Sequence, residues 1–257
     1  MSNEDVESTI SLRDLHDSKE LIAQLAYPSH EVEYGLMILR ELEHIQVESI
    51  YIVREPKISL RFLGKGYRGV ILKVSYRGIP SIVKILRTDS TISSLRREAE
   101  MIKFANSIFI GPRLYDYSEH TILMEYIDGV NMEQWLDALN EDDKHSLVKI
   151  LREVFEQARK MDEINLDHGE LSNPRKHVLI KRDLSLKIID FGKASVSHKP
   201  KNVTSIFSYI IYGQHSGKLL RMLQVEEPPI DVIKMYKEKR DKECFEKIIE
   251  RLNLKDV

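Results

Sequence analysis

The stretch Leu166–Ser195, LDHGELSNPRKHVLIKRDLSLKIIDFGKAS, decides how this chain is read. Two short strand-like runs, His177–Lys181 and Leu186–Asp190, flank the polar turn Arg182-Asp183-Leu184-Ser185, which signals a hairpin. The second run is apolar almost throughout and ends in a carboxylate, Asp190, followed by Phe191-Gly192. An acid at the end of a buried strand, beside a flexible glycine, suits a group that holds a metal ion. Just upstream, His168-Gly169-Glu170-Leu171 sets a second acid on a loop ahead of the hairpin. Chance supplies an Asp-Phe-Gly tripeptide easily, so its meaning rests on what precedes it.

A chain of 257 residues allows one large domain, or a small domain attached to a medium one. With 42% apolar and 31% charged residues, it has the balance of a globular protein with a real core. The net charge of −2 makes no global electrostatic case for nucleic acid or an anionic membrane. One cysteine, Cys244, excludes an intramolecular disulfide framework and a cysteine-based zinc site; helix packing is its expected role. There is no signal-peptide core, and no apolar run approaches about 18 residues, so the expected location is cytoplasmic.

Residues 1–10 read as a polar, frayed end. Leu12, Leu15, Leu21, Ile22 and Leu25 form one helical apolar set, broken at Tyr27-Pro28. A second helix, capped near Ser29, carries Val32, Leu36, Leu39 and Leu42 at helical spacing. Ser49–Val53 reads as a strand. Two readings stay open for residues 1–55: a small winged-helix-like domain, or a helical cap packed on the next lobe. Arg54-Glu55-Pro56-Lys57 is the expected boundary, with the main domain running from 56 to 257.

Ile58–Leu63 is an expected strand, followed by Gly64-Lys65-Gly66-Tyr67-Arg68-Gly69-Val70, a G-x-G-x-x-G run with a valine behind it. Such glycines let backbone amides approach phosphate oxygens without side-chain obstruction. Dinucleotide-binding folds share the spacing, but there the loop opens a helix. Here Val70–Ser75 is a second strand, and Arg77-Gly78 turns it into a third, Ile79–Leu86. Within that apolar third strand stands Lys84. An edge lysine with its amine in solvent is the plain reading; a phosphate-pairing lysine is the functional one.

Ile92–Asn106 is an expected helix. With Leu95 as origin, Glu98 falls at about 300° and Ile102 at about 340°, whereas Glu100 falls at about 140°. Glu98 thus lies within the apolar face and needs a partner, for which Lys84 is the candidate. Past Gly111-Pro112 come strands around Arg113–Tyr117 and Thr121–Tyr126, then a helix over Met132–Leu139 and a longer one from a cap at Asn140 to about Glu163.

Glycine hairpin, lysine strand, inward glutamate, acid loop and Asp-Phe-Gly stand in order from Gly64 to Gly192. The ordered set resembles the atypical protein-kinase superfamily. In particular, RREAEMIKFAN, IGPRLYDYS, LMEYIDG and NVTSIFSYII are similar to the small archaeal serine/threonine kinases related to the RIO kinases and the KEOPS-complex kinase. The resemblance covers about residues 58–220. It implies an α+β, bilobal kinase-like fold, with an antiparallel-sheet N-lobe over about 56–125. A short, mainly helical C-lobe over about 126–257 comes next, without the Ala-Pro-Glu activation segment.

The resemblance also implies ATP with Mg2+ or Mn2+ as cofactors. Gly64, Gly66, Gly69, Val70 and Lys84 would hold the nucleotide phosphates, with Glu98 bracing Lys84. The backbone around Glu125–Ile127 would hold the adenine edge with Met124 behind the base, and Asp190 would hold metal. The acceptor would be a protein hydroxyl, the chain itself, or water. A ribonucleoprotein or RNA-modification assembly is the partner implied by analogy. A pseudokinase and a small-molecule kinase remain alternatives.

Two departures matter. Where kinases carry aspartate in the acid loop, this chain has Glu170, whose extra methylene moves the carboxylate by roughly 1 Å, a displacement that can cost about 100-fold in rate. Asp167 is the alternative base. The family's metal-binding asparagine falls on Arg175; a two-residue insertion would hand the role to His177, and Asn173 is a further candidate. Downstream, Lys199, Lys201, Lys218 and Arg221 form either a basic patch for RNA or acidic protein, or a solvated charged face. Pro228-Pro229 precedes an expected final helix, Ile230–Leu252.

Overall fold

A computed structural model describes residues 8–255. The chain opens with strand β1 (Ser8–Ser11), helices α1 (Leu12–Leu15), α2 (Lys19–Leu25) and α3 (Val32–His44), and strands β2 (Ser49–Val53) and β3 (Ser59–Leu60). Ser11 Oγ accepts from Asp14 N and Ser18 Oγ from Leu21 N, so short polar side chains start the first two helices. Part of the stretch expected to fray is a strand instead. Ser8–Ser11 pairs with Ser49–Ile52 and half-buries Ile10, while residues 1–7 lie outside the described residues. Next come β4 (Phe62–Lys65), β5 (Gly69–Tyr76), β6 (Ile79–Leu86), α4 (Arg96–Asn106), β7 (Leu114–Tyr117) and β8 (Thr121–Glu125).

These strands form one antiparallel sheet in the order β1-β2-β5-β6-β8-β7, with β3 beside β2 and β4 beside β5. Leu15, Leu25, Ile38, Leu39, Leu42 and Ile45 are fully buried in the same core as Val70, Leu72, Val74, Val83, Ile85 and Leu123. Polar contacts reinforce the packing. Tyr34 donates to Leu86 O, and Glu41 accepts from His120 N and Thr121 Oγ1. The N-terminal helices are thus a cover on the sheet, and the expected boundary at Arg54–Lys57 is a turn between two of its strands. An apolar face as wide as that of β5, β6 and β8 needs such a cover.

Contacts divide the chain into two compact units. One holds the described residues up to Lys103 together with Pro112–Tyr126; the other holds Phe104–Gly111 and the chain from Ile127 onward. The second unit contains β9 (Gly129–Asn131), α5 (Met132–Ala138), α6 (Lys144–Glu163), β10 (Val178–Lys181), β11 (Leu186–Ile188), α7 (Asn202–Tyr212), α8 (Ser216–Leu223), α9 (Ile230–Lys239) and α10 (Lys242–Arg251). Its three strands pair in the order β11-β10-β9.

Asn131 caps α5 through a reciprocal bond pair with Gln134, and a 3-10 turn at Glu141–Asp143 leads into α6. The single final helix expected over Ile230–Leu252 is two. Arg240 turns left-handed at φ +53°, and Asp241 caps α10 by accepting from Cys244 N. Cys244 is buried there, in the packing role expected of it. The architecture is α+β, a kinase-like bilobal arrangement of an antiparallel-sheet unit and a mainly helical one.

Candidate active site

In the first unit, β4 and β5 form the glycine hairpin, closed by a bond from Gly66 N to Gly69 O of 2.9 Å. Gly69 is required by close approach. A Cβ there would stand 2.8 Å from Ile85 O and 3.1 Å from Lys84 Cγ, so only glycine leaves room for the lysine stem. Lys84 is 8% exposed and Glu98 5%, and Nζ lies 2.6 Å from Glu98 Oε1. The buried pairing chosen from the helical wheel is the one the fold makes.

Residues directly opposite one another in an antiparallel pair share a sheet face. Ile71 stands opposite Lys84 and Met124 opposite Ile82, so Ile71, Lys84 and Met124 share one face. Val70 stands opposite Ile85 and points into the core beneath the N-terminal helices. The aliphatic group beside the glycine loop on the lysine face is therefore Ile71, not Val70. Glu125 closes β8, its amide donating to Arg113 O; Tyr126 ends the first unit and Ile127 begins the second.

The second unit carries the acids. The β10–β11 hairpin pairs Val178 with Ile188, and one step further Ile189 N donates to His177 O at 2.8 Å. This register sets His177 beside Asp190. Asp190 itself adopts a left-handed φ of +68°, a conformation aspartate tolerates and one concentrated at functional sites. Gly169, at φ +82°, lets the acid loop approach the segment after Asp-Phe-Gly: a Cβ there would stand 2.7 Å from Lys193 O. Glu170 is thereby delivered to the same place, and ligand atoms of Glu170, His177 and Asp190 all lie within 4.8 Å of one another.

The alternatives are engaged in other contacts. Asn173 Oδ1 accepts from Arg175 Nε, and Arg175 donates to Glu133 and Gln214. Asp167 is buried, accepts from Lys201 N, pairs its backbone with Ser195 and stands 2.9 Å from His198 Nε2; it pins the loop. His168, wholly buried, donates through Nε2 to Ile189 O at 3.1 Å, and burial pushes its pKa down to about 4. Its ring and Phe191 meet edge-on at 4.9 Å.

Two residues went unmarked in the sequence. Lys193 Nζ donates to Glu170 Oε1 at 2.8 Å. Asn202 accepts from His168 N and donates to Leu166 O and to Asp162, tying α6, the acid loop and α7 together. Lys193 could have been noticed for its place after Gly192. Nothing local distinguishes Asn202.

The donor set fits a divalent cation: two carboxylates and an imidazole converge, and Nδ1 of His177 is buried with no hydrogen-bond partner among the described residues. The downstream cations are engaged individually. Lys199 Nζ donates to Lys237 O, Lys218 Nζ caps carbonyls of Leu136 and Leu139, and Arg221 pairs with Glu141. Each of these three side chains thereby contributes to local structure. Among the described residues no helix is long and apolar enough to cross a membrane.

A family model described as the RIO domain matches residues 82–208. The KEOPS complex subunit Bud32 of Pyrococcus abyssi is 32% identical over 126 residues, covering 48% of this chain and 52% of that protein. An uncharacterized protein of Methanocaldococcus jannaschii is 30% identical over 116 residues, 45% of this chain and 93% of the other. Mitogen-activated protein kinase kinase 7 of Arabidopsis thaliana is 27% identical over 150 residues, 53% of this chain and 46% of that kinase. The chain thus spans about half the length of the subunit and of the plant kinase. With the glycine hairpin, the Lys84–Glu98 pair and the acid cluster in that order, the chain belongs to the RIO-domain family of atypical kinases.

Proposed function

We propose that the chain is an ATP- and divalent-metal-dependent phosphotransferase acting on serine or threonine hydroxyls, its own or those of a protein partner. The observation that carries this reading is the convergence of Glu170, His177 and Asp190. Their order after the Lys84–Glu98 pair supports a role for both sets in one reaction. Lys84 would pair nucleotide phosphate oxygens, held extended by Glu98. Asp190 and His177 would hold the ion, which when bound supplies charge neutralisation at the phosphates.

Glu170 would orient the acceptor hydroxyl and take its proton as the new oxygen–phosphorus bond forms and the bond to the leaving diphosphate breaks. Lys193, bonded to one oxygen of Glu170, fixes the carboxylate's orientation. Most of the rate gain in such a reaction comes from positioning and electrostatics. Water as acceptor would make the protein an ATPase switch. The Bud32 relative is by name a complex subunit, which supports an assembly partner for this chain. Cytoplasmic location belongs to the same proposal.

The test is incubation with γ-labelled ATP and Mg2+ or Mn2+, following both protein-bound label and released phosphate. Label on serine or threonine supports the kinase reading, and free phosphate alone supports the switch. ATP binding with neither product favours a nucleotide-sensing pseudokinase.

A further inference from the structure

The Glu170–His177–Asp190 cluster contains one nitrogen ligand, and its placement does not depend on a bound ion. His177 N donates to Pro174 O at 3.0 Å and His177 O accepts from Ile189 N at 2.8 Å, so the backbone presents the ring beside Asp190. The ring meets His168 edge-on at 5.7 Å, and its Nδ1 is buried with no hydrogen-bond partner among the described residues. A buried imidazole nitrogen left so is a cost that a metal bond or hydrogen bond removes.

Mg2+ prefers an octahedron of oxygens and dehydrates reluctantly. Imidazole instead suits first-row transition metals such as Fe2+, Ni2+, Cu2+ and Zn2+, and affinity for a nitrogen-containing site rises from Mn2+ to Cu2+ along that row. We propose that His177 makes this centre selective for first-row transition-metal ions over Mg2+, with Mn2+, the weakest-bound of that row, as the most stringent probe. The proposal rests on the phosphotransferase reading for why an ion is bound there, but metal choice is set by the His177 and Asp190 side chains themselves. A nucleotide phosphate would add oxygens to whichever ion is present and would not supply this discrimination.

The test uses the full chain without nucleotide, titrated with Mn2+ while free Mn2+ is followed by its electron paramagnetic resonance signal, then challenged with Mg2+. Spin-echo modulation from 14N reports directly whether an imidazole nitrogen is on the ion. The expected result is Mn2+ retained against excess Mg2+, with 14N modulation present. In His177→Asn, whose fold is checked by circular dichroism, Mn2+ affinity should fall by about tenfold or more and the modulation should vanish.

Mn2+ displaced by an equal concentration of Mg2+, or bound without 14N modulation, overturns the proposal. So does unchanged affinity in a folded His177→Asn chain. If that variant does not fold, the wild-type modulation decides. A fluorescent ADP analogue is titrated in parallel: absence of nucleotide binding would undo the phosphotransferase reading while leaving the metal result standing.

Discussion

Lys84 Nζ lies 2.6 Å from Glu98 Oε1, and both residues are almost completely removed from water. A pair so buried is a delicate balance of desolvation and attraction. Removing one member takes a buried charge's closest partner away: Lys84→Met or Glu98→Leu alone should lower stability by about 3–5 kcal/mol. The double variant should recover most of that loss and still fail to bind nucleotide. Urea denaturation with a nucleotide titration checks both halves; an additive double variant would show that the pair is not coupled.

Glu170→Ala should reduce transfer by roughly 10²–10⁴-fold while nucleotide affinity is preserved. Lys193→Ala should cost under about 1 kcal/mol of stability, because the lysine side chain is 60% exposed, yet it should lower turnover by loosening Glu170. Unchanged turnover in Glu170→Ala would remove this residue from the mechanism.

The two faces of β5 should separate by substitution. Val70→Ala, in the core, should cost about 2 kcal/mol. Ile71→Ala should leave the melting temperature nearly unchanged and weaken nucleotide binding. The reverse pattern would mean that the lysine face is not the nucleotide face.

Asp162 is buried at the end of α6, accepting from Asn202 N and Nδ2, Val203 N and Tyr236 Oη. Burial raises its pKa despite those bonds. A carboxyl with a raised folded pKa contributes stability that is full below the unfolded value of about 3.9 and lost as pH rises through the folded value. The stability of the wild type relative to Asp162→Asn should therefore fall as pH rises from that point. Denaturation midpoints at successive pH values measure it, and a constant difference would show that Asp162 does not titrate as described.

The N-terminal helices should not be dispensable. Starting the chain at Pro56 removes Leu15, Leu25, Ile38, Leu39, Leu42 and Ile45 from a core they share with β5, β6 and β8. The expected product is aggregated or lacks a cooperative melt. Gly35→Ala should also lower the melting temperature, since its Cβ would stand 2.2 Å from Ile22 O. A truncated chain that melts cooperatively would show residues 1–55 to be a separable domain.

Much of the candidate site was legible because its signals are local. Glycines at fixed spacing, a cation inside an apolar strand, an acid on the apolar side of a helix and a carboxylate closing a strand each break a periodic pattern. The strand Ser49–Val53, the strand around Lys84 and the helix bearing Glu98 follow from alternation and the 3.6-residue repeat. The break at Arg240 was not legible, because a left-handed residue followed by a capping aspartate interrupts a helix without disturbing its apolar period.

What the sequence determined by itself was the order of parts, since hydrophobic period and turn chemistry act between near neighbours. Tertiary structure alone decided which candidates meet. Hairpin register, a backbone match across the turn, placed His177 beside Asp190. Strand pairing put Ile71 rather than Val70 on the lysine face. Close backbone approach at Gly169 brought Glu170 to Lys193. Each of these depends on residues distant in sequence becoming neighbours, which no local pattern encodes.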